Sequence, residues 1–404
     1  MAKKISEILL CIWIASFSIG ITKISFIPIK TIIFFAFVFF SSRALIGKGK
    51  VILKHPRSLF LLWLWVVIAS TIGVSNGFDL STINQDASLV ASFLVVIFSF
   101  VLYENNLLNV DKIKSAIYLT AGVGVAIKVF LGLSVVSGLF SADSIDELMQ
   151  NYAGSTSFNA DIFGGFLGLL PRIGNAGDLF NLIVFVFVVK QSSGIRFIFF
   201  WVLVLAFTLV TYSRYLMLFF AIVSLYAAVS GIKERSKAAT IAMAIVILSI
   251  ALYYSDADVI YSEIENRFTG QVQLESDSIR AEMKTVLFNT FSNNPFVGIG
   301  LGGHVQDYIR SPTNLWQYEL EYLSLLMQLG VLGFIAIVVN FIVYVIRVLF
   351  SNYQKAFIFP MLLSTAFWIG TPFQSSLFNG TQSALIILSI FFLSRKSENC
   401  LGRL

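Results

Sequence analysis

Charge is what this sequence has least of. Asp, Glu, Lys and Arg make up 12% of its 404 residues, about half the share typical of water-soluble domains. With 57% hydrophobic residues and a mean hydropathy of +0.85, it cannot clothe itself in polar surface, which excludes an ordinary soluble domain. Histidine and cysteine are almost missing, at two residues each. Cys11 falls in an apolar stretch and Cys400 in the tail, so no disulfide is expected and redox chemistry has no support. The same scarcity makes a metal centre implausible, because zinc sites are built from His, Cys and carboxylate clusters. An acidic pair such as Asp256 and Asp258 has no spacing that demands an ion. No cofactor is expected.

What is present is apolar sequence in long runs. A segment crossing about 30 Å of hydrocarbon needs roughly 20 apolar residues. Twelve stretches approach that length, near 6–22, 26–42, 58–75, 87–103, 115–138, 176–190, 197–211, 214–230, 239–254, 322–346, 356–371 and 381–394. The expected fold is therefore an all-α polytopic membrane protein of about twelve transmembrane helices, forming one integral membrane domain over 1–404. The first stretch follows Met1-Ala2-Lys3-Lys4 and could pass for a signal peptide. No small-residue cleavage site follows it, so it is expected to stay as a membrane helix.

Lys and Arg in loops set orientation. With both termini in the cytoplasm, most of the 28 basic residues lie inside. Lys23, Lys30, Arg172, Arg214, Arg267, Arg280, Lys284 and Arg310 lie outside, and Lys128 falls within a span. This bias accounts for the net charge of +6 without a nucleic-acid partner.

Two outward segments exceed ordinary loops. One spans 141–177. The other, 255–321, is the main hydrophilic stretch of the chain, and its Ser278–Ser292 portion places Ile279, Met283, Val286, Leu287 and Phe291 at helical spacing. Ser276 or Asp277 is the expected cap, and Asn293-Asn294-Pro295 the expected end. There follows "NNPFVGIGLGGH", in which Gly298, Gly300 and Gly303 satisfy the G-x-G-x-x-G pattern of dinucleotide-binding folds. That fingerprint requires a strand before it and a helix after it within a βαβ unit. Here a helix precedes it on the outer side of the membrane, so the glycines are expected to turn the backbone rather than bind a nucleotide.

Ionisable groups at bilayer depth are costly, about 2.5–3.5 kcal/mol each on insertion scales. Arg214 in "VTYSRYLML" sits between two spans with almost no loop. Arg172 in "LLPRIGN" borders another apolar stretch on the same side, and Arg280 opens the loop helix. Guanidinium groups grip phosphate oxygens bidentately and stay charged at every working pH, so these three suit an anion at the interface. Lys128 has two roles open to it, joining them or pairing with a buried acid. Glu319 and Glu321 stand where the loop enters the tenth span. Residues two apart on a helix do not share a face, so one of them should point inward. His304 and Asp307 are weaker candidates.

These features resemble the bacterial O-antigen (Wzy-type) polymerases, which share a superfamily with the O-antigen ligases. The resemblance covers the overall plan and is most specific over 280–334. There an arginine-bearing helix with Arg280 precedes the turn Pro295-Phe296-Val297-Gly298-Ile299-Gly300. A polar stretch and Glu319 to Leu323 follow, then Gly330-Val331-Leu332-Gly333. "YSRY" around Arg214 and "PRIGN" around Arg172 match family-like positions. Ligases carry a His-Asn pair just before the last loop-to-span transition, where this chain has Glu319 and Leu320, and this departure favours a polymerase.

The resemblance implies metal-independent, inverting glycosyl transfer at the periplasmic face of the bacterial inner membrane. The substrates implied are undecaprenyl-pyrophosphate-linked oligosaccharides, within lipopolysaccharide biosynthesis. A polysaccharide chain-length regulator is left open as a partner. Glu319, with Glu321 in reserve, is the implied base. Arg172, Arg214 and Arg280 are implied to bind the donor pyrophosphate. The competing readings are an O-antigen ligase and a lipid-linked oligosaccharide transporter. For the transporter, Lys128 is a charge near midplane, but no repeat between halves is visible.

Overall fold

The computed structural model describes residues 2–19, 29–46, 56–141, 143–145, 147, 159–161, 172–174, 177–192, 194–211, 213–230, 271–310, 315, 318–350, 354–369 and 380–395. Helices dominate: α1 (Ala2–Ile19), α2 (Ile29–Leu45), α3 (Pro56–Ser75), α4 (Leu80–Ala91), α5 (Phe93–Glu104), α6 (Val110–Val136), α7 (Asp178–Gln191), α8 (Gly194–Thr211), α9 (Arg214–Ser230), α10 (Gln271–Asn293), α11 (Glu321–Phe350), α12 (Ile358–Ile369) and α13 (Gly380–Leu393). The expected ninth span, 239–254, lies outside the described residues, as do Asp256 and Asp258. Each other expected span overlaps a helix, and 87–103 overlaps two.

Coincidence with a helix is not the same as spanning. Among the described residues α6 is the helix both long and apolar enough to cross a bilayer, the apolar part of α11 described in full ending at Ala336, so the expected number of spans stands as an expectation. The stretch 87–103 forms two helices, α4 and α5, interrupted at Ser92. The helix α4, "LSTINQDASLVA", is too polar to belong to an apolar span. The all-α expectation also needs a small amendment. Within 141–177, β1 (Asn159–Asp161) pairs antiparallel with β2 (Arg172–Gly174), Asp161 opposite Arg172.

The core is built around α7, a short helix of 14 residues whose Leu179 through Phe187 are all buried. A helix that is apolar on every face belongs in the middle of a bundle, and α7 packs against α6, α8, α9, α12 and α13. Phe187 stacks on Phe357, and Phe185 on Phe220. An ion pair lies in this core: Asp178, in the first turn of α7, is paired with Lys128 of α6, and the Lys128 ammonium also lies 5.4 Å from the centre of the Phe207 ring. Of its two open roles, Lys128 takes the second.

Basic residues expected on the cytoplasmic side gather at one end of the bundle. Lys112 pairs with Glu7 at 3.0 Å, and Lys3 donates to the Asn106 carbonyl. Arg395 donates to the Tyr103 hydroxyl at 2.8 Å and lies over its ring. The glycine loop and the acidic pair occupy the end formed by the C-terminus of α3 and the N-terminus of α11.

Candidate functional site

The site is organised around a break in α11. Gly330 has φ 63° and ψ −177° inside an otherwise helical run. A helix broken in its interior leaves amides and carbonyls without intrahelical partners. The glycine loop supplies those partners. Ile299 and Gly300 N–H donate to the Met327 and Gln328 carbonyls, and Val331 and Leu332 N–H donate to the Pro295 and Phe296 carbonyls, at 2.8–3.1 Å. The loop thus completes the hydrogen bonding of the helix it precedes.

This contact is why the loop is made of glycine. Gly298, Gly300 and Gly302 all have positive φ, a region costly for side chains with a Cβ. A Cβ at Gly300 would lie 2.1 Å from the Gly73 nitrogen of α3, and one at Gly298 would lie 2.4 Å from the Gln328 carbonyl oxygen. The partner surfaces are stripped in the same way. A Cβ at Gly73 would lie 2.3 Å from the Leu301 carbonyl oxygen, and one at Gly333 would lie 1.9 Å from the Trp65 indole nitrogen. The loop is a backbone-to-backbone wedge between α3 and α11.

Side chains lock the wedge. Asn76 donates to the Ile299 carbonyl at 2.9 Å, and Gln328 donates to the Gly303 carbonyl at 3.2 Å. Asp86 of α4 is buried and accepts from the Gly302 N–H at 2.8 Å. Burial pushes the Asp86 carboxyl up to about 7, and the Gly302 hydrogen bond opposes that rise. His304 turns toward the Gly302 carbonyl and the Phe78 ring, so it serves the loop.

On the open side of the wedge stand the charges. The helix α10 starts earlier than its apolar pattern suggests, so Asp277 is not its cap. It lies within the helix and pairs with Arg280 at 3.2 Å, three residues on. Arg280 also meets Glu319 at 3.3 Å, and Arg310 reaches the other oxygen of Glu319 at 3.6 Å. Glu319 lies just before α11 and is exposed, whereas Glu321, in its first turn, is buried. Of the two glutamates, Glu321 is the inward one.

Tyr318 closes the floor below them. Its hydroxyl accepts from Val305 N–H at 2.9 Å and donates to the Tyr308 carbonyl at 3.3 Å. Burial raises the Tyr318 phenol above its usual range, so it keeps the proton that this second bond needs.

Arg214 and Arg172 are placed by backbone alone. Arg214 is the first residue of α9. Arg172 opens β2, whose next residue, Ile173, is packed with Val210 near the end of α8. Both arginines therefore belong to the same end of the α8–α9 pair. Tyr215, after Arg214, donates to the Phe367 carbonyl, and Tyr322, after Glu321, donates to the Ile369 carbonyl. Two tyrosines thus bring the starts of α9 and α11 to the end of one helix, α12. Among the described residues no cluster of His, Cys, Asp and Glu could hold a metal ion.

Residues 197–338 match the O-antigen ligase family. The match is consistent with the O-antigen polymerase/ligase superfamily that the loop motifs resemble. Members of this family are glycosyltransferase-like enzymes, and the family suggests a membrane location. The matched range runs from α8 into α11 and takes in Arg214, Arg280, the glycine wedge, Glu319 and Glu321. It leaves out Arg172, Lys128 and Asp86. None of the curated proteins matches the chain. Sequence reasoning passed over Arg310 and Asp86. Arg310 sat in the loop without a motif, and the signal for Asp86 was a carboxylate on the rim of an apolar stretch.

Proposed function

We propose that the protein polymerises undecaprenyl-pyrophosphate-linked oligosaccharide repeat units into a surface polysaccharide at the periplasmic face of the inner membrane. The growing glycan leaves its pyrophosphate carrier and passes to the terminal sugar of an incoming lipid-linked unit, without a metal and with inversion. The observation that carries this reading is the Glu319 carboxylate held between Arg280 and Arg310, at the position where the resembling ligases carry histidine.

The pairing suggests how acid–base chemistry and anion binding are coupled. The acceptor hydroxyl must lose a proton to a group within about 2.6–3.2 Å, and the departing pyrophosphate needs fixed positive charge. Glu319 in this structure is engaged by guanidinium groups. A donor pyrophosphate competes for Arg280 and Arg310, helped by Arg214 and Arg172, and draws them off Glu319. The carboxylate is then free to accept the hydroxyl proton only when the donor is bound. Glu321 is the alternative base.

The test is the glycan profile of a strain deleted for this gene and complemented with variants. Glu319→Gln should leave single repeat units attached to the lipid A core and no long ladder. A normal ladder would move the base elsewhere. The second reading is an O-antigen ligase, favoured by the description of the matching family. It predicts loss of all core-attached glycan in the deletion strain.

A further inference from the structure

The tip of the glycine wedge leaves its largest side chains uncovered. Phe296 is 70% exposed, beside Val297 at 40%. These residues are not at the end of a free loop. The Phe296 carbonyl accepts from Leu332 N–H at 3.1 Å, so Phe296 is held at the level of Leu332 on α11. From Val331 to Phe350, α11 is about 30 Å long at ~1.5 Å per residue, the thickness of the hydrocarbon layer. On that stretch Leu332, Ile335, Val338 and Val339 form an exposed apolar stripe. The stripe begins where Phe296 is attached, which puts Phe296 and Val297 at the outer boundary of the hydrocarbon.

The helix α10 continues the same surface. Met283 and Leu287 are buried against Ile299, Tyr318 and Met327. The rest of the helix divides into two flanks by helical spacing. One carries Lys284, the exposed Phe288 and the half-buried Phe291, whose rings pair at 6.1 Å. The other carries Glu282, Thr285 and Asn289, all polar and exposed. A flank with aromatic rings and a lysine is the composition of a helix lying in the headgroup region, the amine reaching to phosphate and the rings to acyl chains.

We infer that Phe296, Val297 and the Phe288 flank of α10 insert into the outer leaflet of the phospholipid bilayer, so that the large loop is moored in lipid. The inference rests on the membrane reading of α11 and is independent of which glycan the protein handles.

The full-length protein in nanodiscs of phosphatidylethanolamine and phosphatidylglycerol tests it, with no glycan substrate added. Single nitroxide labels are placed by Phe296→Cys, Phe288→Cys, Asn289→Cys and Ile335→Cys in a Cys11→Ala, Cys400→Ala background. Labels at 296 and 288 should collide with oxygen several-fold more than with a water-soluble nickel chelate, as at 335, with the reverse at 289. A water-like pattern at 296 and 288 overturns the inference. So does shielding from both relaxants, which would mean that protein covers this face.

Discussion

The carboxylate of Asp86 accepts a hydrogen bond from the backbone N–H of Gly302, 216 residues later in the chain, at 2.8 Å. It ties α4 to the centre of the glycine wedge in a setting without bulk water. Burial raises the carboxyl from its ordinary value of 3.8 to about 7. A group with a raised folded value adds stability that is complete below its unfolded value and is lost as pH rises through the folded one. The protein should therefore lose stability between about pH 4 and pH 7, by at most about 1.4 kcal/mol per pH unit from this group. Asp86→Asn keeps an acceptor for Gly302 and should flatten that dependence. Asp86→Ala strands a buried N–H and should cost about 1–3 kcal/mol. Thermal unfolding across this pH range distinguishes the two variants.

Gly330→Ala should release the wedge. The new Cβ would lie 2.3 Å from the Phe296 carbonyl oxygen at a φ of +63°, and strained backbone alone costs about 1–3 kcal/mol. Limited proteolysis should show faster cleavage within 294–310 in the variant, and polymer should be lost. Cleavage at the native rate would show that α11 tolerates the change.

Arg280→Ala should separate function from stability. Its pairs with Glu319 and Asp277 are partly exposed, and such ion pairs contribute about 0–1 kcal/mol. The unfolding temperature should barely move, while long-chain glycan should disappear. Arg310→Ala should show the same pattern. A variant that retains its full ladder would remove that arginine from the site.

Lys128→Met should be harmful and its double variant mild. Removing one member of a buried ion pair costs about 3–5 kcal/mol, whereas replacing both charges by apolar groups is often near neutral. Lys128→Met with Asp178→Leu should thus recover most of the unfolding temperature lost in the single variant. Full polymer in the double variant would confine the pair to a packing role. Loss of polymer in a well-folded double variant would assign it a part in activity.

What could be read from the sequence was what is local. Runs of apolar residues foretell helices because each run satisfies its own backbone. The helix end at Asn293 was legible from Pro295, since proline restricts the residue before it. The expectation that one of Glu319 and Glu321 turns inward follows from helical geometry, although Glu319 lies ahead of the helix. The start of α10 was missed because "QVQLESD" has no apolar period to announce it. Asp178 falls inside the expected span 176–190 with nothing local to name its partner, and only the packing of α7 against α6 sets it beside Lys128. Arg310, Asp86 and Gly73 were silent for a shared reason: each owes its role to a residue far away in the chain.

The break at Gly330 relocates the boundary of the loop unit. Glu321 through Leu329 are written in the sequence as the opening of a membrane helix. The carbonyls of Met327 and Gln328 nevertheless accept from the glycine wedge, and the wedge also holds the first amides beyond the break, those of Val331 and Leu332. An exchange of this loop with a relative, cut at the apparent start of α11, would divide one hydrogen-bonded body and join halves that never fitted. The transferable module runs from Gln271 through Gly333, and it has to bring along a glycine at position 73 of the receiving helix.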